Sequence, residues 1–375
     1  MSEVRRGLTL PESTQELAQK MLNFFDDGSS NIILSPYSTF VSLIMTSSFF
    51  ENASKIQILE SLGIDTEIGT RDLLISLQNM IQTIEKEDES TSIIGVNSIW
   101  PNENLVRDMS IFEALIEVLG SKITPVIFPQ PGLDQINQNI SELTHGLIKG
   151  LVTPDAVNPS TYIIITSAIY FRSKWRLSFD PENTFTRSFE LFDNSIKHTD
   201  FMKENGYLPY AEDSEAQVLS IPYVDDNSLI IFLPKRNDIE SFKRLRTNFH
   251  EYINKLELSD IKIFYTIPKF THKWGSTSLV EMLKSIGIID IFEQSENSYI
   301  VTDILHKTFI EVNEEGTEAS AATAVILEEE DLDEVDDLGF DFETIEFNAD
   351  HPFIYLIRNK NGSVIFAGTY IAPDE

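Results

Sequence analysis

The chain has 375 residues, with 28 Lys and Arg against 60 Asp and Glu, a formal net charge of −32. Such a field repels a phosphate backbone and excludes nucleic acid as a favoured partner, while 42% hydrophobic residues, 25 of them Phe in number, exclude a chain without a core. There is no cysteine, so disulfides and thiolate chemistry are both excluded.

The first residues, MSEVRRGLTLPESTQELAQK, lack the apolar segment that heads a secreted chain. The expected location is the cytoplasm, with leaderless release as a second route. A capping-box pattern at Ser13-Thr14-Gln15-Glu16 precedes LAQKMLNFF, which has helical spacing. The uncharged stretch 29–50 is long enough to span a bilayer. Its serines and Pro36 instead point to a buried core helix, and no membrane partner is expected. RDLLISLQNMIQTIEK (71–86) and MSIFEALIEVL (109–119) read as further helices. From STYIIITSAIYF (160–171) onward β-rich runs dominate: AQVLSIPYV (216–224), SLIIFLPK (228–235) and DIKIFYTIPKF (260–270). The run 351–372 reads as a hairpin turned at Asn361-Gly362. Helices early and strands late make an α+β architecture. No linker divides the chain, so residues 1–375 are expected to form one domain and a monomer.

Catalytic signatures are missing. There is no G-x-S-x-G elbow, no P-loop and no G-x-G-x-x-G, and the six histidines include no i,i+4 pair. Neither an enzyme, a metal site nor a cofactor is expected. The acidic EKEDES (85–90) argues against a heparin-like polyanion. Sequons at Asn52, Asn139 and Asn361 read as chance occurrences.

Residues 314–327, EEGTEASAATAVIL, pose a sharper question. Laid out as a strand, one face shows Thr317, Ala319, Ala321, Thr323, Val325 and Leu327, without charge and small at its start. Such a tract could enter an existing sheet without overpacking it. Alanine also favours helix, and a flexible linker would look alike. Residues 328–346 follow, with eleven acidic side chains and no basic one, and read as a solvated loop.

FIEVNEEGTEASAATAV resembles the hinge signature of the serpins, the serine-protease-inhibitor family. Further stretches match that family in order: NIILSPYS (31–38), VNSIW (96–100), THGLIKGL (144–151), SAIYFRSKW (167–175), YAEDSEAQVLSIPY (210–223), HKTFIEVNEEGTEA (306–319) and ADHPFIYLIR (349–358). The resemblance implies three β-sheets with eight or nine helices and an exposed reactive loop, here within 314–346. It implies a suicide-substrate inhibitor of a serine protease, in which the cleaved loop inserts into the large sheet as an added strand. Residues 317–327 would make a strand of about 36 Å. The acidity implies a basic target protease. The alternatives are a non-inhibitory member of the family and an acidic-loop protein that binds a basic partner.

The resemblance also implies roles. Glu314, Gly316, Thr317, Ala319, Ala321 and Ala322 match the hinge. Ser35, Ser38, Ser167 and His306 match the shutter, the hydrogen-bonded cluster beneath the parting strands. Ser167 stands where the family usually has Asn, so a looser or water-bridged cluster is expected. Trp175, Lys269 and Glu314 match the breach, where insertion begins, and an exposed Glu314–Lys269 pair there would be a weak latch of about 0–1 kcal/mol. The scissile bond stays open. Counting forward from Gly316 places it at Glu330–Asp331, and counting back from FNADHPF places it near Asp341. Leu338 and Phe340 would suit a chymotrypsin-like pocket, and Asp333–Asp336 resembles a caspase tetrapeptide ending at Asp336, which chance explains in so acidic a segment. A loop about ten residues over length adds about 33 Å of tether.

Overall fold

The structure, a computed structural model, describes residues 7–50, 52–106, 108–120, 123–293, 299–317 and 344–373. Among them are eight α-helices: α1 (Leu10–Phe25), α2 (Pro36–Ser47), α3 (Asn52–Ser61), α4 (Thr70–Ile84), α5 (Glu113–Leu119), α6 (Gly132–Leu143), α7 (Ile239–Ile253) and α8 (Val280–Ser285). The strands up to residue 206 are β1 (Ile32–Leu34), β2 (Lys86–Glu87), β3 (Thr91–Gly95), β4 (Ser98–Pro101), β5 (Ile163–Lys174), β6 (Phe185–Glu190) and β7 (Ile196–Gly206). Next come β8 (Pro209–Glu212), β9 (Ala216–Pro222), β10 (Ser228–Pro234), β11 (Glu257–Leu258), β12 (Ile263–Pro268) and β13 (Phe270–Ser278). The last are β14 (Val301–Val312), β15 (Gly316–Thr317), β16 (Ile345–Asn348), β17 (Phe353–Arg358) and β18 (Val364–Tyr370).

Three sheets result, a mixed α+β fold. One runs β1-β18-β17-β10-β9-β8-β11 and a second β16-β12-β7-β6. The large sheet runs β13-β14-β15-β5-β3-β2, with β4 also paired to β5. Helix α2 is the hub. All twelve of its residues are buried, and it packs on both β5 and β18, so one helix ties two sheets together. Helix α1 presents Leu17, Ala18, Met21 and Leu22 to the same core at helical spacing. A second apolar cluster joins Ile136 and Ile140 of α6 to Trp100, Ile164 and Leu305, so α6 lies against the large sheet.

Some expectations need correction. The first capping box is Thr9–Glu12: the Thr9 side chain accepts from the Glu12 N–H, and the Thr9 N–H donates to Glu12 Oε2 at 2.8 Å. The helix starts earlier than Ser13 because Pro11 is at home in a first turn, where its missing N–H costs nothing. The uncharged stretch 29–50 is a short strand followed by a helix, since Ser35 caps α2 after β1. Strands also occur early, at 86–101, where β2, β3 and β4 build one side of the large sheet. The Asn361-Gly362 turn does join β17 to β18, with Gly362 at φ +98°. Among the described residues no helix is long and apolar enough to cross a membrane.

Candidate functional site

In the large sheet β5 and β14 are parallel, whereas β13–β14, β3–β5, β2–β3 and β4–β5 are all antiparallel. The parallel pairing runs from Val301↔Ile163 to Lys307↔Ala168. Beyond it β15 stands between the two strands, antiparallel to both: Gly316↔Lys174 and Thr317↔Ser173 on one side, Val312↔Thr317 on the other. A strand continuing along this path would replace one parallel ladder with two antiparallel ones, and antiparallel pairing is slightly the more stable per residue.

Local chemistry holds β15 in the opening. Gly316 is required by close approach, because a Cβ there would lie 2.2 Å from the Ser173 carbonyl oxygen. Asn313 Oδ1 accepts from the Glu315 and Gly316 N–H groups at 3.1 and 3.3 Å, tightening the turn before it. The Trp175 indole donates to the Asn313 carbonyl at 2.8 Å and stacks on Tyr223 with centroids 4.4 Å apart. Lys269 Nζ lies 2.9 Å from Glu314 Oε1, which also accepts from Thr184 Oγ1 at 2.7 Å. The Glu314 side chain is only 13% exposed, so the pair is drier than a surface bridge. Burial would raise its pKa, but the bonds from Lys269 and Thr184 outweigh that and hold it below the usual value. Thr317 is fully buried, with Oγ1 2.6 Å from the Tyr223 hydroxyl. The structure thus brings Trp175, Lys269, Glu314, Gly316 and Thr317 into one place. Ala319, Ala321, Ala322, Glu330, Asp331, Asp336, Leu338 and Phe340 lie outside the described residues.

Ser35, Ser38, Ser167 and His306 meet beneath the strands where β5 and β14 still touch, and all four are fully buried. The Ser35 N–H donates to His306 Nε2 at 3.0 Å, so that nitrogen is unprotonated and the proton sits on Nδ1. Nδ1 faces the Ser167 carbonyl at 3.0 Å and Ser167 Oγ at 3.1 Å. Ser167 Oγ donates to Ser38 Oγ at 3.1 Å, and Ser38 Oγ donates to Asn97 Oδ1 at 2.6 Å. Ser167 thus touches Ser38 and His306 directly, and Ser38 in turn ties Asn97 into the cluster. Sequence reasoning passed over Asn97. Its signal was a single polar residue between Val96 and Ser98, in a run that pairs with β5 on both sides.

Burial pushes His306 down to about 4, against an upward push from its bond to the Ser167 carbonyl. His272, beside Tyr355, is pushed by burial to about 3. Both values lie below the ordinary 6.5, so on acidification the unfolded chain takes up these protons first. Their contribution to stability is present above pH 6.5 and is lost as pH falls toward about 4 for His306 and about 3 for His272. Unfolding rates measured across this range are expected to rise with acid, with a shallower dependence in His306→Gln. Equal slopes would contradict the assignment.

The family model described as "Serpin (serine protease inhibitor)" matches residues 12–373. A serpin-like protein of Methanosarcina acetivorans is 32% identical over 92% of this chain and 82% of its own length. Serine proteinase inhibitor 2 of variola virus is 32% identical over 79% of this chain and 88% of its own. The crystal structure of Serpin48 from the insect Tenebrio molitor, 22% identical, superposes with a TM-score of 0.83 over 100% of both chains.

Proposed function

We infer, since this chain belongs to the serpin family, that it is a suicide-substrate inhibitor of a serine protease. The observation that carries this reading is the seating of Gly316 and Thr317 against β5, with Thr317 paired to β14 on its other side. A protease serine attacks a carbonyl in the loop after Thr317, the amine of the downstream segment departs, and an ester joins enzyme and inhibitor. The freed tract then continues the path that β15 has begun and carries the esterified protease along the sheet. Its small, uncharged inward residues fit that path, because a charged face would have to be desolvated against the core. Deacylation is the competing outcome, so the inhibitor works only if insertion is faster. The initial fold is then a kinetic trap, and its stability is a rate.

The shutter residues serve this scheme as a closure that must part for the strand to pass, and Trp175, Lys269 and Glu314 as the frame of the entry point. A net charge of −32 and the acidic run 328–346 favour a basic protease by steering its approach, more so at low salt. Incubation with basic serine proteases of chymotrypsin-like and trypsin-like specificity is expected to give an equimolar complex that survives boiling in SDS. Mass spectrometry of the released C-terminal fragment then identifies the scissile bond. Cleavage by every protease tested without any complex would overturn inhibition and leave a non-inhibitory member of the family.

A further inference from the structure

Backbone pairing alone does not choose which residue of an incoming strand enters first, because every peptide group offers the same donor and acceptor. A slip of one residue would turn the inward face of the tract outward. It would also bring Glu318 to the place that Thr317 occupies, a carboxylate against a dry aromatic floor. Something must fix the register.

Tyr223 is fully buried just past β9 of the neighbouring sheet, with its ring stacked on Trp175 and edge-on to Phe171. A buried phenol needs a polar partner, and the partner given to this one is the hinge: Thr317 Oγ1 at 2.6 Å. Burial holds the phenol far above its ordinary pKa, so it remains a neutral hydroxyl. One residue earlier, Gly316 passes so close to the Ser173 carbonyl that no other residue fits. A buried phenol bonded to the Thr317 hydroxyl, beside a slot that accepts only glycine, reads the dipeptide Gly-Thr.

We propose that Tyr223 is a positioning residue that pins the register of the inserting strand through the Thr317 hydroxyl. The proposal rests on the inhibitory reading and adds a residue to it. Tyr223→Phe keeps the stacked ring and removes only the pin, and Thr317→Val removes the other half at nearly equal shape. With a protease that the unaltered protein traps, each variant is expected to raise the ratio of cleaved inhibitor to trapped complex about fivefold, the effect of one hydrogen bond of ordinary net strength. The double variant should be no worse than either single one. Thr317→Ser should behave as the unaltered protein, and the rate of loop cleavage should not change in any of them. A merely structural Tyr223 would give effects that multiply, or no effect of Thr317→Val, and either result overturns the pin. The same variants, nicked in the loop by a non-target protease, report the rate at which a heat-stable form appears, and both single variants are expected to slow it. If the unaltered protein forms no heat-stable product on nicking, the inhibitory reading itself fails. If it does and the variants match it in rate, only the pin fails.

Discussion

Replacing Thr317 with aspartate is expected to turn the protein from a trap into an ordinary substrate. The side chain at this position is fully buried, paired on both flanks and faced by Tyr223. Asp225 lies close by, its side chain 1% exposed and its Oδ1 accepting from Ser173 Oγ at 3.3 Å. A carboxylate here would be buried with the neutral Tyr223 hydroxyl and no cation among the described residues as its partner, Lys86 being already engaged by Asp225 at 3.6 Å, a cost of about 3–5 kcal/mol. Insertion would slow by more than about 100-fold, and hydrolysis of the acyl-enzyme would win. Electrophoresis should show full-rate loop cleavage with cleaved inhibitor as the main product. Undiminished complex would mean that the strand does not enter at Thr317.

Replacing His306 with alanine is expected to shorten the lifetime of the intact, active form. His306 lies on β14 opposite Ser167 of β5, so its ring bridges the two strands that part in the proposed mechanism and, through Ser35, the helix beneath. Without it the Ser35 N–H and Ser167 Oγ lose buried partners and a cavity opens, together about 3 kcal/mol. That converts to about a 100-fold faster loss of inhibitory activity on storage at fixed temperature. His306→Gln retains an acceptor and should fall between the two. An alanine variant as long-lived as the unaltered protein would remove His306 from the closure.

The parts of this protein visible in its sequence are those with a local or periodic signal. The buried α2 shows as an uncharged stretch, and the last hairpin as Asn-Gly between apolar runs, while the proposed hinge rests on the run of small residues after Gly316. The parts that escaped reading act singly and across long separations. Tyr223 meets Thr317, Asn97 meets Ser38, and Thr184 meets Glu314, each from a different element. Apart from Asn97, a polar residue in a run that pairs with β5, nothing in their immediate surroundings marks them. The early strands were missed because β2, β3 and β4 are short and interrupted at Asn97, where alternation cannot accumulate. Gly316 was legible as a pivot, but its tight passage past Ser173 depends on tertiary packing alone.

The most direct test of strand insertion compares thermal unfolding of the intact protein with that of protein nicked within 328–346. If residues 317–327 complete the large sheet, each adds about 1 kcal/mol of net pairing. For a chain of this size that raises the midpoint by about 10 °C or more. Coincident unfolding curves for the two samples would contradict the insertion mechanism.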